Sequence, residues 1–136
     1  MKSCRSLIVI AGLGSFVLFS GCHSRSLNME KAKPLFKISA EKLFKEYKGN
    51  WTAASAKYQG KVVEVTGTVE RTGEDSAGSP YVNLTGDPAV GGVQCFFAKG
   101  HDDEAAQAKP GQPLTVKGES TVFVINVVIE RCVIVK

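Results

Sequence analysis

Apolar positions from Ser39 onward recur at helical spacing: Ala40, Leu43, Phe44 and Tyr47 fall on one face, and Ser39 is placed to cap the start. Gly49-Asn50 interrupts this run. Asn50 is positioned to cap a second helical stretch, Trp51 to Tyr58, in which Trp51, Ala54 and Tyr58 share a face. After Gly60 the period changes to two. Val63, Val65, Gly67 and Val69 alternate with Glu64, Thr66, Thr68 and Glu70, the pattern of a half-buried strand.

The alternation returns after a Gly- and Ser-rich loop expected at Thr72 to Pro80. Val82 and Leu84 predict a second strand, and Val93, Cys95 and Phe97 a third. The turn between them falls in Gly86-Asp87-Pro88 to Gly91-Gly92. His101-Asp102-Asp103-Glu104 opens a short helical stretch that ends before Pro110-Gly111. Leu114 and Val116 with Thr115 and Lys117 predict a fourth strand, and Val122 to Val135 a long β-branched closing strand. In that strand Val127 and Ile129 share a face, but Cys132 and Ile134 continue it only if one extra residue intervenes. A β-bulge at Glu130-Arg131 keeps both charges outside and the four apolar residues inside. Five strands with a helical insertion between the third and fourth give a mainly β chain, an OB-fold barrel preceded by an amphipathic helical segment.

Upstream of the barrel the pattern is of another kind. Lys2 and Arg5 precede an apolar core, Leu7 to Phe19, which closes on Leu18-Phe19-Ser20-Gly21-Cys22. The layout is that of a secretory signal, and the closing residues resemble the lipobox of bacterial lipoproteins, with Phe19 where Leu is commoner. In that motif the cysteine thiol accepts diacylglycerol. A membrane-spanning anchor is the competing reading, but the apolar run is shorter than the ~20 residues that span a bilayer. The expected organisation is therefore a signal peptide over 1–21, a lipidated flexible tether over 22–38, and an OB-fold domain with its N-terminal helix over 39–136. The lipid partner is expected to enter through acylated Cys22. His23, rather than Asp, follows that cysteine and leans the localisation toward the outer membrane, facing the periplasm.

Processing changes both the charge and the cysteine count. Residues 23–61 carry nine Lys/Arg against three Glu, whereas residues 62–136 carry six Lys/Arg against ten Asp/Glu. The basic part thus lies nearest the membrane, where anionic headgroups attract each cation by about 1 kcal/mol. Cys95 and Cys132 remain in the folded part, either as a disulfide or as two buried thiols, and the spacing alone leaves both open. The topology predicts that they are neighbours in the barrel wall.

Ala40-Glu41-Lys42-Leu43-Phe44 to Tyr47, then Asn50, then Tyr58-Gln59-Gly60-Lys61 leading into Val65-Thr66-Gly67, resembles the opening of the tRNA_anti-like family of OB-fold domains. The closing pieces agree: Val93-Gln94-Cys95-Phe96-Phe97, Pro110-Gly111 before Val116-Lys117-Gly118, Asn126-Val127-Val128-Ile129 and Cys132-Val133-Ile134. The resemblance spans about residues 39–135. It implies an OB barrel with an N-terminal helix, often in envelope proteins, without established catalytic residues.

Candidate chemistry is sparse. His101 stands beside Asp102, Asp103 and Glu104, which lack the alternating spacing of a calcium loop and suit a helix N-terminus. Neither CxxC nor GxSxG occurs, and no cofactor or enzymatic activity is expected. Alternation places Tyr81, Asn83, Gln94 and Phe96 on the outer face of the second and third strands, the usual OB ligand face. Two aromatics with flanking amides suit a ligand with ring faces and hydrogen-bonding edges, and serve equally as a cross-strand pair that stabilises the sheet. The acidic barrel, with Glu74 and Asp75 beside this face, favours an envelope protein or a glycan over single-stranded nucleic acid or another polyanion, because neutralising phosphates drives non-specific nucleic-acid affinity.

Overall fold

The computed structural model describes residues 28–136, so the expected signal peptide and the expected lipidation site at Cys22 lie outside the described residues. The chain order is β1 (Phe36–Ser39), α1 (Ala40–Gly49), α2 (Trp51–Tyr58), β2 (Val62–Glu74), β3 (Pro80–Asp87), β4 (Gly91–Phe97), α3 (Asp102–Gln107), β5 (Pro113–Phe123) and β6 (Val127–Ile134). Strands β2, β3, β4, β6 and β5 are neighbours in that order, and β2 pairs again with β5 to close the barrel. This is the five-stranded OB arrangement expected from the alternation.

Both caps form as predicted. Ser39 Oγ accepts from Lys42 N at 3.3 Å, and Asn50 Oδ1 accepts from Ala53 N at 3.1 Å. Leu43, Phe44 and Tyr47 are then aimed into the barrel and fully buried. Trp51 departs from expectation: at the first position of α2 it is 57% exposed, while Ala54 and Tyr58 are buried. Two glycines let α1 approach. A Cβ on Gly67 would lie 2.8 Å from Ala40 Cβ, and one on Gly86 would lie 2.8 Å from the Phe44 ring.

Four features differ from the sequence reading. First, the segment expected as tether is built into the fold: Met29 is buried, and Phe36–Ser39 pairs in parallel with Val63–Thr66 of β2. Phe36 and Ile38 turn inward, and the Phe36 ring meets Tyr58 edge-on at 5.0 Å. The short run, with Lys37 between the two and lysines before them, hides this alternation in the sequence. Second, β2 runs on through Glu74, where a loop was expected, because β3 pairs with Arg71 to Glu74. Third, Val122 and Phe123 belong to β5, and the closing strand begins only at Val127. Fourth, Phe97 packs against the core but is only half-buried, lying past a register shift in the β4–β6 pairing.

That shift is the bulge predicted at Glu130-Arg131. Cys95 pairs with Ile129 and Phe97 with Cys132, so β6 carries one extra residue, and Arg131 adopts φ 56°. Val127, Ile129 and Cys132 are fully buried, Ile134 half so, and both charged residues face out. No described helix is long and apolar enough to cross a membrane.

Candidate ligand face

The site is assembled by two registers. On β3 and β4, Tyr81 pairs with Phe96 and Asn83 with Gln94, while Val82, Leu84, Val93 and Cys95 fill the core. The four predicted residues are therefore brought together on one face. The rings of Tyr81 and Phe96 meet edge to face, centroids 5.7 Å apart at 63°, and both are half-buried. Such a pair contributes about 0.5–1.5 kcal/mol beyond its area. The Tyr81 ring also lies over Gly73 of β2, where a Cβ would fall 2.7 Å from its hydroxyl. Glycine at that position lets the ring lie flat along the hairpin.

Asn83 is not the open hydrogen-bonding edge expected from alternation. It is 3% exposed, because Arg71, its partner across β2–β3, covers it. With the amide assigned so that its oxygen faces the guanidinium, Asn83 Oδ1 accepts from Arg71 Nε at 3.0 Å and Nη2 at 3.3 Å. Arg71 thus replaces Asn83 as the polar group presented beside Gln94, and sequence reasoning missed it. A signal existed, since Glu70-Arg71-Thr72 continues β2 without apolar alternation, as a strand solvated on both faces does.

Beyond Phe96 the face runs into an open cleft of about 510 Å³. Its charges are mixed: Lys99 and Arg131 lie among Asp75, Asp102 and Glu130. Arg131 is ion-paired with Glu119, and Asp75 Oδ1 accepts from Ala77 N at 2.9 Å and Ser79 N at 2.8 Å, which orders the β2–β3 loop. The cleft is therefore no cationic channel.

Elsewhere the titratable groups are structural in their contacts. His101 lies 3.3 Å from Glu104 and 3.6 Å from Glu30, joining α3 to the start of the described chain. Among the described residues, His, Cys, Asp and Glu side chains do not converge in any group of three or more able to hold a metal ion. Cys95 and Cys132 are free, buried and adjacent in the wall. Burial, reinforced by the Cys95 thiol, pushes Cys132 well above the usual thiol range, and its Sγ donates to Ile129 O at 3.4 Å.

The model of the tRNA_anti-like family matches residues 5–134. Among solved structures, a lipoprotein of Klebsiella pneumoniae subsp. pneumoniae MGH 78578, provisionally named as nucleic acid-binding, is similar over 73% of this chain and 91% of its own, at 19% identity and a TM-score of 0.58. An OBody bound to hen egg-white lysozyme is similar over 59% of this chain and 86% of its own, at 14% identity and a TM-score of 0.44. None of the curated proteins matches.

Proposed function

We propose that this chain, which belongs to the tRNA_anti-like family, is a non-enzymatic lipoprotein of the bacterial envelope whose OB barrel binds a protein or glycan partner on the outer face of β3 and β4. The observation that carries the reading is the Tyr81–Phe96 pair, two half-exposed rings beside Gln94 and Arg71 that open onto a cleft of mixed charge. Stacking surface with scattered donors and acceptors suits sugar rings or partner side chains, whereas a polyanion requires a run of cations. The anchor is acylated Cys22, and a lipoprotein among the structures of the same fold is in keeping with it.

Single-stranded nucleic acid is the second reading. It is favoured by Arg71 beside the two aromatics and by the provisional name of the Klebsiella protein. One experiment separates the two. Membrane-extracted protein and its Tyr81→Ala/Phe96→Ala variant are used to capture partners from envelope extract and are titrated with a single-stranded oligothymidine. Loss of a captured protein or glycan in a variant that keeps its fold supports the first reading. Oligonucleotide binding that falls steeply with salt and is lost in the variant supports the second. A variant that loses thermal stability but no partner assigns the aromatic pair to the fold alone.

A further inference from the structure

From Lys31 to Ser39 the odd-numbered residues are exposed and the even-numbered ones half-buried. Lys31, Lys33, Leu35 and Lys37 therefore form one outward strip, while Phe36 and Ile38 face the core. Leu35 at its centre is 68% exposed. Lys37 keeps its side chain 73% exposed, with Nζ 3.9 Å from Glu64, the outer limit of an ion pair.

The strip does not swing freely. Met29 is buried, Lys117 Nζ donates to Glu30 O at 2.9 Å, and Leu35 N donates to Val62 O at 2.9 Å. Asn28, the first described residue, is six residues after Cys22. Six residues span at most about 20 Å when fully extended. With Cys22 held at the bilayer surface, that short link keeps the first lysines within one or two Debye lengths of the headgroups.

We infer that Lys31, Lys33, Leu35 and Lys37 dock the barrel onto the membrane itself, the lysines on anionic lipid headgroups and Leu35 in the interface between them. This rests on the lipid-anchor reading above. An acyl anchor combined with a basic patch gives two membrane signals, and the basic one also fixes orientation. The barrel then lies against the bilayer along β1 instead of hanging from a long tether.

The test uses the full-length protein extracted from membranes and reconstituted in vesicles of phosphatidylcholine, with or without a minority of phosphatidylglycerol. Leu35→Cys carries an environment-sensitive fluorophore, while buried Cys95 and Cys132 are shielded from labelling. Quenching by a shallow spin-labelled lipid is expected in the anionic vesicles only. Lys31→Gln/Lys33→Gln/Lys37→Gln is expected to shift the docked-to-undocked ratio by on the order of a hundredfold, from about 1 kcal/mol per lysine. These substitutions are on exposed side chains, and an unchanged circular dichroism melt confirms the fold. Protein that floats with the vesicles but shows no quenching overturns the docking and leaves the anchor standing. Equal quenching in neutral vesicles, or quenching that survives the triple change, overturns its electrostatic basis. Tighter lysine-dependent binding to a single-stranded oligonucleotide than to anionic vesicles reassigns the strip to that polyanion. Protein that does not float at all removes the anchor and the docking with it.

Discussion

At the Gly86 end of the barrel, α1 lowers Leu43, Phe44 and Tyr47 into the opening, and Phe44 and Tyr47 meet Phe123 at centroid distances of 6.1 and 5.4 Å. At the Pro80 end, α3 has six residues and buries only Ala105 of them, with Ala108 just beyond. One end is a plug of aromatic volume and the other a thin cover of methyl groups. The two ends therefore contribute unequally to stability. The open cleft beside Phe96 lies at the thin end, bounded by the first residue of α3.

Phe44→Ala empties the plug most directly. Removing a fully buried ring is expected to destabilise the domain by about 3–5 kcal/mol in denaturant unfolding. At the thin end, Ala105→Gly is expected to cost about 1–2 kcal/mol, from helix propensity and one lost methyl. A larger loss for Ala105→Gly than for Phe44→Ala would invert the assignment.

Tyr58→Phe, at the plug end, should cost about 1 kcal/mol by removing the 2.7 Å bond to Glu46 Oε2. That bond, assisted by Lys57, holds the Glu46 carboxyl below its usual range, against the opposing effect of burial. A depressed carboxyl stabilises the fold above its unfolded value, and that stability is lost as pH falls through the folded value. Burial raises Tyr47 and Tyr58, which places the matching alkaline loss above the ordinary tyrosine value of about 10. Unfolding midpoints measured across pH should therefore fall at both extremes, and the Tyr58→Phe variant should lose part of each slope. An unchanged acid limb would remove Glu46 from the account.

The smallest effect is kinetic. Cys132 lies near the thin end, its carbonyl accepting from Ala98 N at 2.9 Å, and its thiol is buried. Alkylation in native buffer should follow local opening there, and Ala105→Gly should speed it more than Phe44→Ala does at equal residual stability. Both cysteines should titrate as thiols once the protein is denatured. A denatured chain with no reactive thiol at either position would instead establish the disulfide.

The two helices of the plug were legible because Ser39 and Asn50 cap them and because Leu43, Phe44 and Tyr47 keep a single face. The bulge was legible for a related reason, since two charges interrupt an otherwise strict alternation at Glu130-Arg131. What escaped the sequence depends on contacts with distant residues. β1 is only four residues long, follows a proline at Pro34, and owes its pairing to β2. Asn83 sits on the predicted face, but the guanidinium that covers it comes from a part of β2 read as loop. Alternation gives the direction of a side chain and says nothing of what lies on top of it. That Tyr81, Phe96 and Gln94 share one surface was therefore legible, and the guanidinium of Arg71 beside it was missed.

The long strand β2 is divided between partners, its first half pairing with β1 and β5 and its second with β3. The β2–β3–β4 meander joins neighbours in sequence and can form early. The β2–β5 seam unites opposite halves of the domain and must wait for the chain to close a long loop, with its entropic penalty. Until that seam zips, the first half of β2 lacks its β5 partner, Val63 and Val65 included. In the finished fold the short β1 pairs with that same stretch on its other edge, so the strand mistaken for tether leaves only the β5 side of β2 to be closed by the seam.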